Sequence, residues 1–158
     1  MQSRTSKGFT LIEVLVALTV LSVGMLGMAA LFVEAVSSGR VALARTQAVN
    51  LVADLADRIR ANSTAVLEYD TFGGATGAPQ NNNCSGVAPV DCTPQQMAQH
   101  DLFQWLAAIG ATLPAPTANT AGTVQVTAAT NPNTYVITVN WSEPTAGGDL
   151  SYVLTVQL

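Results

Sequence analysis

The sequence predicts an α+β chain: one long N-terminal helix, membrane-spanning in its first half, packed on a small C-terminal antiparallel β-sheet head that carries one extra helix. Three observations predict it. From Val14 to Val33 run 20 uncharged, mostly apolar residues, apolar residues then recur at helical spacing as far as Ile59, and the last third alternates with period two between turn clusters. Composition agrees, since 49% of the 158 residues are hydrophobic and only 10% are charged, against roughly 25% charged in an average soluble domain.

The first element begins near Phe9. Glu13 is the sole charge between Phe9 and Val33, and at about 1.5 Å per residue the stretch spans a hydrocarbon core of about 30 Å. A secretory signal peptide has an apolar region of only about 7–15 residues followed by a small-residue cleavage site. This run is longer, so it reads as a retained membrane helix. Arg4 and Lys7 precede it and the next basic residue is Arg40, so the positive-inside rule puts the N-terminus in the cytoplasm.

The helix continues beyond the span. Val41, Ala44, Ala48, Val52, Leu55 and Ile59 recur every three or four residues and form an apolar stripe. Asp54 to Arg58 and Asp57 to Arg60 are acid-first pairs at the spacings that support a helix. No proline occurs before Pro79, and one helix from about Phe9 to Ala61 is expected. The domain boundaries follow as a leader 1–8, a transmembrane half 9–33, an amphipathic half 34–62 and an α+β head 63–158.

Residues 71–92 are rich in Gly, Asn, Pro and Ser and read as an irregular connector. Thr93-Pro94-Gln95-Gln96 then supplies an N-cap, a proline at the first helical position and the glutamine of a capping box. The helix it opens carries Met97, Leu102, Trp105, Leu106 and Ile109 to one side and should end near Gly110. Thr123 to Ala128, Thr134 to Trp141 and Leu150 to Leu158 follow as strands, separated by turn clusters at 130–133 and 143–149. Tyr135, Ile137, Val139 and Trp141 share one face, as do Leu150, Tyr152, Leu154, Val156 and Leu158. One side of the sheet is thereby expected to be buried against a helix.

Charge narrows the function. All six basic residues lie at or before Arg60, whereas six of the ten acids lie beyond it. Residues 61–158 therefore cannot neutralise phosphates as a nucleic-acid surface must. Cys84, Cys92 and His100 make no metal-ligand cluster and no Gly-rich phosphate loop is present. No catalytic residue, metal or cofactor is expected. His100 reads as a surface or partly packed histidine, and Trp105 and Trp141 read as core.

The junction Lys7-Gly8-Phe9-Thr10-Leu11-Ile12-Glu13-Val14-Leu15-Val16-Ala17-Leu18 resembles the prepilin signal of type IV pilins and pseudopilins. The resemblance implies a pilin-like fold. It also implies that a membrane-embedded prepilin peptidase cuts after Gly8 and N-methylates Phe9, leaving the apolar helix in place. Loss of Arg4 and Lys7 leaves four basic residues against ten acids, a net charge of about −6 before the termini are counted. Glu13, roughly 6 Å along the axis from the new amine of Phe9, would pair with the amine of a neighbouring subunit, which selects one stagger between helices. A carboxylate in a membrane segment is costly without a partner.

Residues 50–62 (NLVADLADRIRAN) and the segment Cys92-Thr93-Pro94-Gln95-Gln96-Met97-Ala98 with Asp101, Leu102 and Trp105 resemble the minor pilins called type IV pilus modification protein PilV. With the signal, these cover about half the chain. The proline found in many major pilins' membrane helices is absent here, leaving Gly24 and Gly27. The resemblance implies a non-enzymatic minor pilin that helps initiate a fibre at or near its tip. Its implied partners are the prepilin peptidase, other minor pilins, the major pilin, the inner-membrane assembly platform and inner-membrane lipid. The implied location is a single pass in the inner membrane with a periplasmic head, and afterwards the extracellular fibre. A type II secretion pseudopilin and a membrane-anchored periplasmic binding module remain the alternatives.

Cys84 and Cys92 fall on the side that the topology makes periplasmic or extracellular, where disulfides form and persist. A bridge between them would staple the connector to the start of the Thr93 helix.

Overall fold

A computed structural model of the chain describes residues 8–72, 79–128, 132–143 and 147–158. The expected α+β architecture is present. Helix α1 spans Leu11–Ala61, a 3-10 turn spans Leu67–Tyr69, and helix α2 spans Pro94–Thr112. Strands β1 (Gly122–Thr127), β2 (Thr134–Glu143) and β3 (Gly148–Gln157) follow in sequence, and they form one antiparallel sheet in the order β1-β2-β3. The expected leader residues Arg4 and Lys7, and parts of the connector and of both turn clusters, lie outside the described residues.

The chain divides after Arg40 into two compact units. In the first, Leu11 to Val33 are exposed along their whole length. An 18-residue window there has a mean hydropathy of 2.4 and none of it is buried, so by length and composition the helix can cross a membrane.

The second unit holds the core. The stripe expected from spacing is the buried face of α1: Ala48, Val52, Leu55 and Ile59 are at most 1% exposed. They meet Ala98, Leu102, Trp105 and Ile109 of α2 and the inward side chains Val124, Tyr135, Ile137, Val139, Trp141 and Val156 of the sheet. Each large side chain so buried contributes about 1.5–3 kcal/mol. Both tryptophans are core, as expected, and the Trp105 indole also donates to the Leu51 carbonyl at 2.9 Å, tying α2 to α1.

Two expectations need correction. Helix α2 does not stop near Gly110 but runs to Thr112, because Pro114 sets its end: the residue before a proline is forced out of the α region, and Leu113 is extended at φ −112° and ψ 147°. His100 is not a surface residue either. It is 2% exposed, although the helical repeat turns it away from the core-facing Trp105 and Ile109, and Ser85 of the disulfide loop meets its ring. The start of α2 is as expected: Thr93 Oγ1 accepts from the Gln96 amide at 3.3 Å and Gln96 Oε1 from the Thr93 amide at 2.9 Å.

Gly122 opens β1 against the side chains of α2. A Cβ there would lie 2.7 Å from both the Trp105 ring and Ile109 Cδ1. Glycine is required by that approach.

Candidate functional site

The residues expected to carry function lie in both units. In the first unit, Gly8 and Phe9 precede α1 and are exposed, Phe9 at 82%. A Cβ on Gly8 would meet no atom within 4 Å, so nothing in the fold demands a glycine at that position. Thr10 caps the helix: the Glu13 amide donates to the Thr10 carbonyl at 3.1 Å and lies 3.4 Å from its hydroxyl oxygen. The spacing Thr10-x-x-Glu13 is that of a capping box, a signal present in the sequence and not used in reading it. Glu13 thus falls in the first turn of α1, where the helix dipole favours an acid.

In the second unit, the two segments that carried the resemblance meet. Arg58 donates from Nε to Asp54 at 2.9 Å, and from Nη1 to Asp101 at 3.1 Å and to Gln104 Oε1 at 2.9 Å. The Tyr69 hydroxyl donates to the other Asp101 oxygen at 2.7 Å. Asn62 Nδ2 donates to the Pro94 carbonyl at 2.9 Å and to the Tyr69 oxygen at 3.3 Å. Asp54 and Arg58 of α1 and Asn62 just after its end succeed one another at intervals of four, and the Asn62 amide still bonds the Arg58 carbonyl at 3.0 Å, so they share one face. That face reads α2 through Pro94 and Asp101. An open groove of about 310 Å³ over this junction is lined by Arg58, Ala61, Asn62, Cys92, Pro94, Met97 and Asp101, and its side-chain polar groups are those already engaged in the network.

Electrostatics follow from these contacts. Burial works against the Arg58 charge, but its hydrogen bonds to Asp101 and Asp54 outweigh that cost and its pKa is raised. Burial, then the hydrogen bond to Asp101, pushes the Tyr69 hydroxyl well above the ordinary tyrosine value, so it stays a neutral donor. No sequence signal marks Tyr69, whose partner lies 32 residues away.

The cysteines are joined in a disulfide, Cys84–Cys92. The loop it closes is further tied by the Val90 amide to the Asn83 carbonyl and by Asn83 Nδ2 to the Ala88 carbonyl. Asn82 anchors its base to α2 through the Gln96 carbonyl at 2.9 Å. Within the loop, Ser85 Oγ lies 2.9 Å from His100 Nε2. A serine beside a histidine can begin a nucleophile–base pair. Here Gln104, oriented by Arg58, donates its amide to both Ser85 Oγ and His100 Nε2 at 2.9 and 3.0 Å. Both contacts fall on Nε2, and Nδ1 has no hydrogen-bond partner among the described residues. Among the described residues no acid meets that nitrogen, as one does in a catalytic triad, and Asp101 is turned to Arg58 and Tyr69.

A third polar cluster went unread. Asp149, at the start of β3, accepts from the amides of Thr117, Ala118 and Asn119 at 2.8, 2.8 and 3.2 Å, and from the Thr117 hydroxyl at 2.9 Å. Backbone hydrogen bonds from Thr117 and Ala118 hold its carboxyl down at about 2. Among the described residues, no group of three or more His, Cys, Asp and Glu side chains could hold a metal ion.

Residues 3–29 match the family described as the prokaryotic N-terminal methylation motif, and residues 30–103 match the family described as type IV pilin Tt1218. The second match contains both segments of the network, from Asp54 to Asp101. No curated protein and no solved structure is significantly similar to the chain.

Proposed function

We propose that this chain, whose two family matches support a type IV pilin, is a minor, non-enzymatic subunit that helps to start a pilus and sits at or near its tip. The observation that carries the reading is the junction at the start of α1. An exposed Gly8-Phe9 peptide precedes a helix that is uncovered from Leu11 to Val33, and an acid sits in its first turn. Because the fold does not need glycine at position 8, a requirement there would come from outside the fold, as with a peptidase that cuts after it. Cleavage would leave a cationic amine on Phe9 about one helical turn from Glu13. That carboxylate would pair with the amine of a neighbouring subunit in the bilayer, where an isolated charge is costly.

On this reading the prepilin peptidase is the first partner and other pilins and the assembly platform are the later ones. The head faces the periplasm before it is carried out in the fibre, a compartment that suits the Cys84–Cys92 bridge. The PilV resemblance of residues 50–62 and 92–105 supports the minor role.

The test is intact-mass analysis of the chain from membranes and from sheared fibres. Loss of the first eight residues with one added methyl group is expected, and Gly8→Val should accumulate the uncut form. Deleting the gene should lower fibre number while the chain makes up a small fraction of fibre protein. A leader still attached in fibres would overturn processing, and abundance equal to the principal subunit would overturn the minor role.

A further inference from the structure

The two edges of the sheet are finished differently. Asn133 and Leu158 exchange both backbone hydrogen bonds at 2.9 Å, which fixes the alternation along the β2–β3 ladder. In the register that pairs Tyr135 with Val156 and Ile137 with Leu154, the even residues of β3 bond to β2. The amides and carbonyls of Ser151, Val153, Thr155 and Gln157 therefore point away from it. On the opposite edge the outward groups of β1 are met at Val124, whose carbonyl accepts from the Thr71 amide at 2.9 Å and whose amide donates to Thr71 Oγ1 at 2.8 Å. Among the described residues, nothing meets the outward groups of β3.

The inward face is unfinished on the same side. Tyr135, Ile137, Val139 and Trp141 of β2 are 0–3% exposed, while Leu154, Tyr152 and Leu150, their register partners across Ile137, Val139 and Trp141, are only partly buried. The helices cover the sheet as far as β2 and cover β3 incompletely. Natural edge strands are usually blunted by lysine, proline, a bulge or an inward charge. From Leu150 to Leu158 the sequence LSYVLTVQL has none of these, and Val153 on the outer face is 52% exposed.

We propose that the outer edge of β3 docks an extended segment of a separate protein, one that alternates apolar and polar residues and carries basic residues at its ends. The added strand satisfies the four outward residues through the main chain and lays its apolar side chains beside Leu150, Tyr152 and Leu154, as in β-strand addition to a sheet edge. Charge selects the partner. From Val41 onward three arginines stand against eight acids, a net of −5, and every arginine lies on α1. At the end of the sheet where β3 begins lies Asp149, whereas Glu143 beside it is buried and already paired with Arg45 at 3.3 Å. A second copy brings the same negative charge, whereas lysines flanking a strand meet attraction.

The test uses the full chain in detergent micelles with the synthetic peptide Lys-Lys-Val-Thr-Val-Thr-Val-Thr-Lys-Lys as probe, read by residue-resolved amide exchange. Without peptide the amides of Ser151, Val153, Thr155 and Gln157 should exchange fast and those of Tyr152 and Leu154 slowly. Saturating peptide should slow the first set by at least about tenfold. Val153→Pro removes an outward amide and leaves the β2–β3 ladder intact, and it should weaken peptide protection by about tenfold or more. Thr155→Pro is the second variant, should the first lose the slow amides of β2. Equal protection in the folded proline variant, or by a peptide with glutamates for lysines, would overturn the proposal. So would outward amides that become protected with rising protein concentration alone, since a second copy would then own the edge.

Discussion

The Tyr69 hydroxyl donates a 2.7 Å hydrogen bond to Asp101, whose other carboxylate oxygen accepts from Arg58 at 3.1 Å. One carboxylate thus joins α1, the turn after it and α2. Asp101 is 6% exposed, whereas one-third of the Arg58 side chain reaches solvent, so the ion pair is partly screened and the pairing with Tyr69 is the buried half. Removing Asp101 leaves a buried hydroxyl and a guanidinium short of an acceptor. Asp101→Ala should cost about 2–3 kcal/mol, below the range for a fully buried pair because of the Arg58 exposure. Tyr69→Phe should cost about 1.5 kcal/mol. Denaturant unfolding of the full chain in detergent measures both. A Tyr69→Phe loss as large as that of Asp101→Ala would mean that Arg58 contributes nothing to the junction.

Asp149 gives the unit an acid-sensitive clamp. Its folded pKa of about 2 lies below the ordinary value near 3.9, so the charged form is favoured by folding. Its contribution is fully present above the unfolded value and is lost as pH falls from about 4 through 2. Followed by NMR, the amide shifts of Thr117 and Ala118 should titrate with a midpoint near 2, and Asp149→Asn should abolish that titration. A midpoint near 4 would show that the three amides do not hold the carboxylate.

Gly122→Ala tests the approach of β1 to α2. The new methyl group would press on the Trp105 ring, which is 1% exposed and held by its bond to Leu51. Ile109 can turn away at its tip, but the indole cannot. The loss should be about 1–3 kcal/mol, the usual cost of overpacking a well-filled core, read as a fall in melting temperature. Ala at the helical Gly110, where no atom lies within 4 Å of the new Cβ, should leave stability unchanged or raise it by a few tenths of a kcal/mol.

The parts of this fold that depend on local periodicity were legible in the sequence. The Val41–Ile59 stripe, the Thr93 capping box and three alternating strands are each decided by residues within a few positions of one another. The end of α2 was misread because Gly110 looks like a terminator, while the effective stop is Pro114 acting through Leu113. His100 was misread because its burial is imposed by the disulfide loop folding over α2, where Ser85 and Gln104 meet its ring. The contacts of Tyr69 with Asp101 and of Asp149 with Thr117 each span 32 residues. No spacing rule reaches that far, and polar residues in a loop give no sign of which distant backbone they will hold. At the junction the motif was legible as Gly8, Phe9 and Glu13, yet the Thr10 cap that sets where the helix begins was overlooked.

Glu13 should act in assembly rather than in insertion or folding. Its carboxylate lies in the first unit, whereas the core that stabilises the head begins at Ala48, so the two tasks fall on separate stretches of chain. Replacing Glu13 by Ala removes a charge that resists the hydrocarbon, and membrane level and leader cleavage should be unchanged or slightly raised. On the pairing proposed above, losing the attraction to a neighbour's Phe9 amine should instead reduce co-purification with sheared fibres and with other pilins, and lower fibre number where the subunit is needed to start them. Glu13→Asp, which keeps the charge on a shorter arm, should fall between Ala and wild type. Normal co-assembly of the Ala protein would show that pairing at this position does not hold the subunit in the fibre, whereas loss of the protein from the membrane would place the role of Glu13 in insertion.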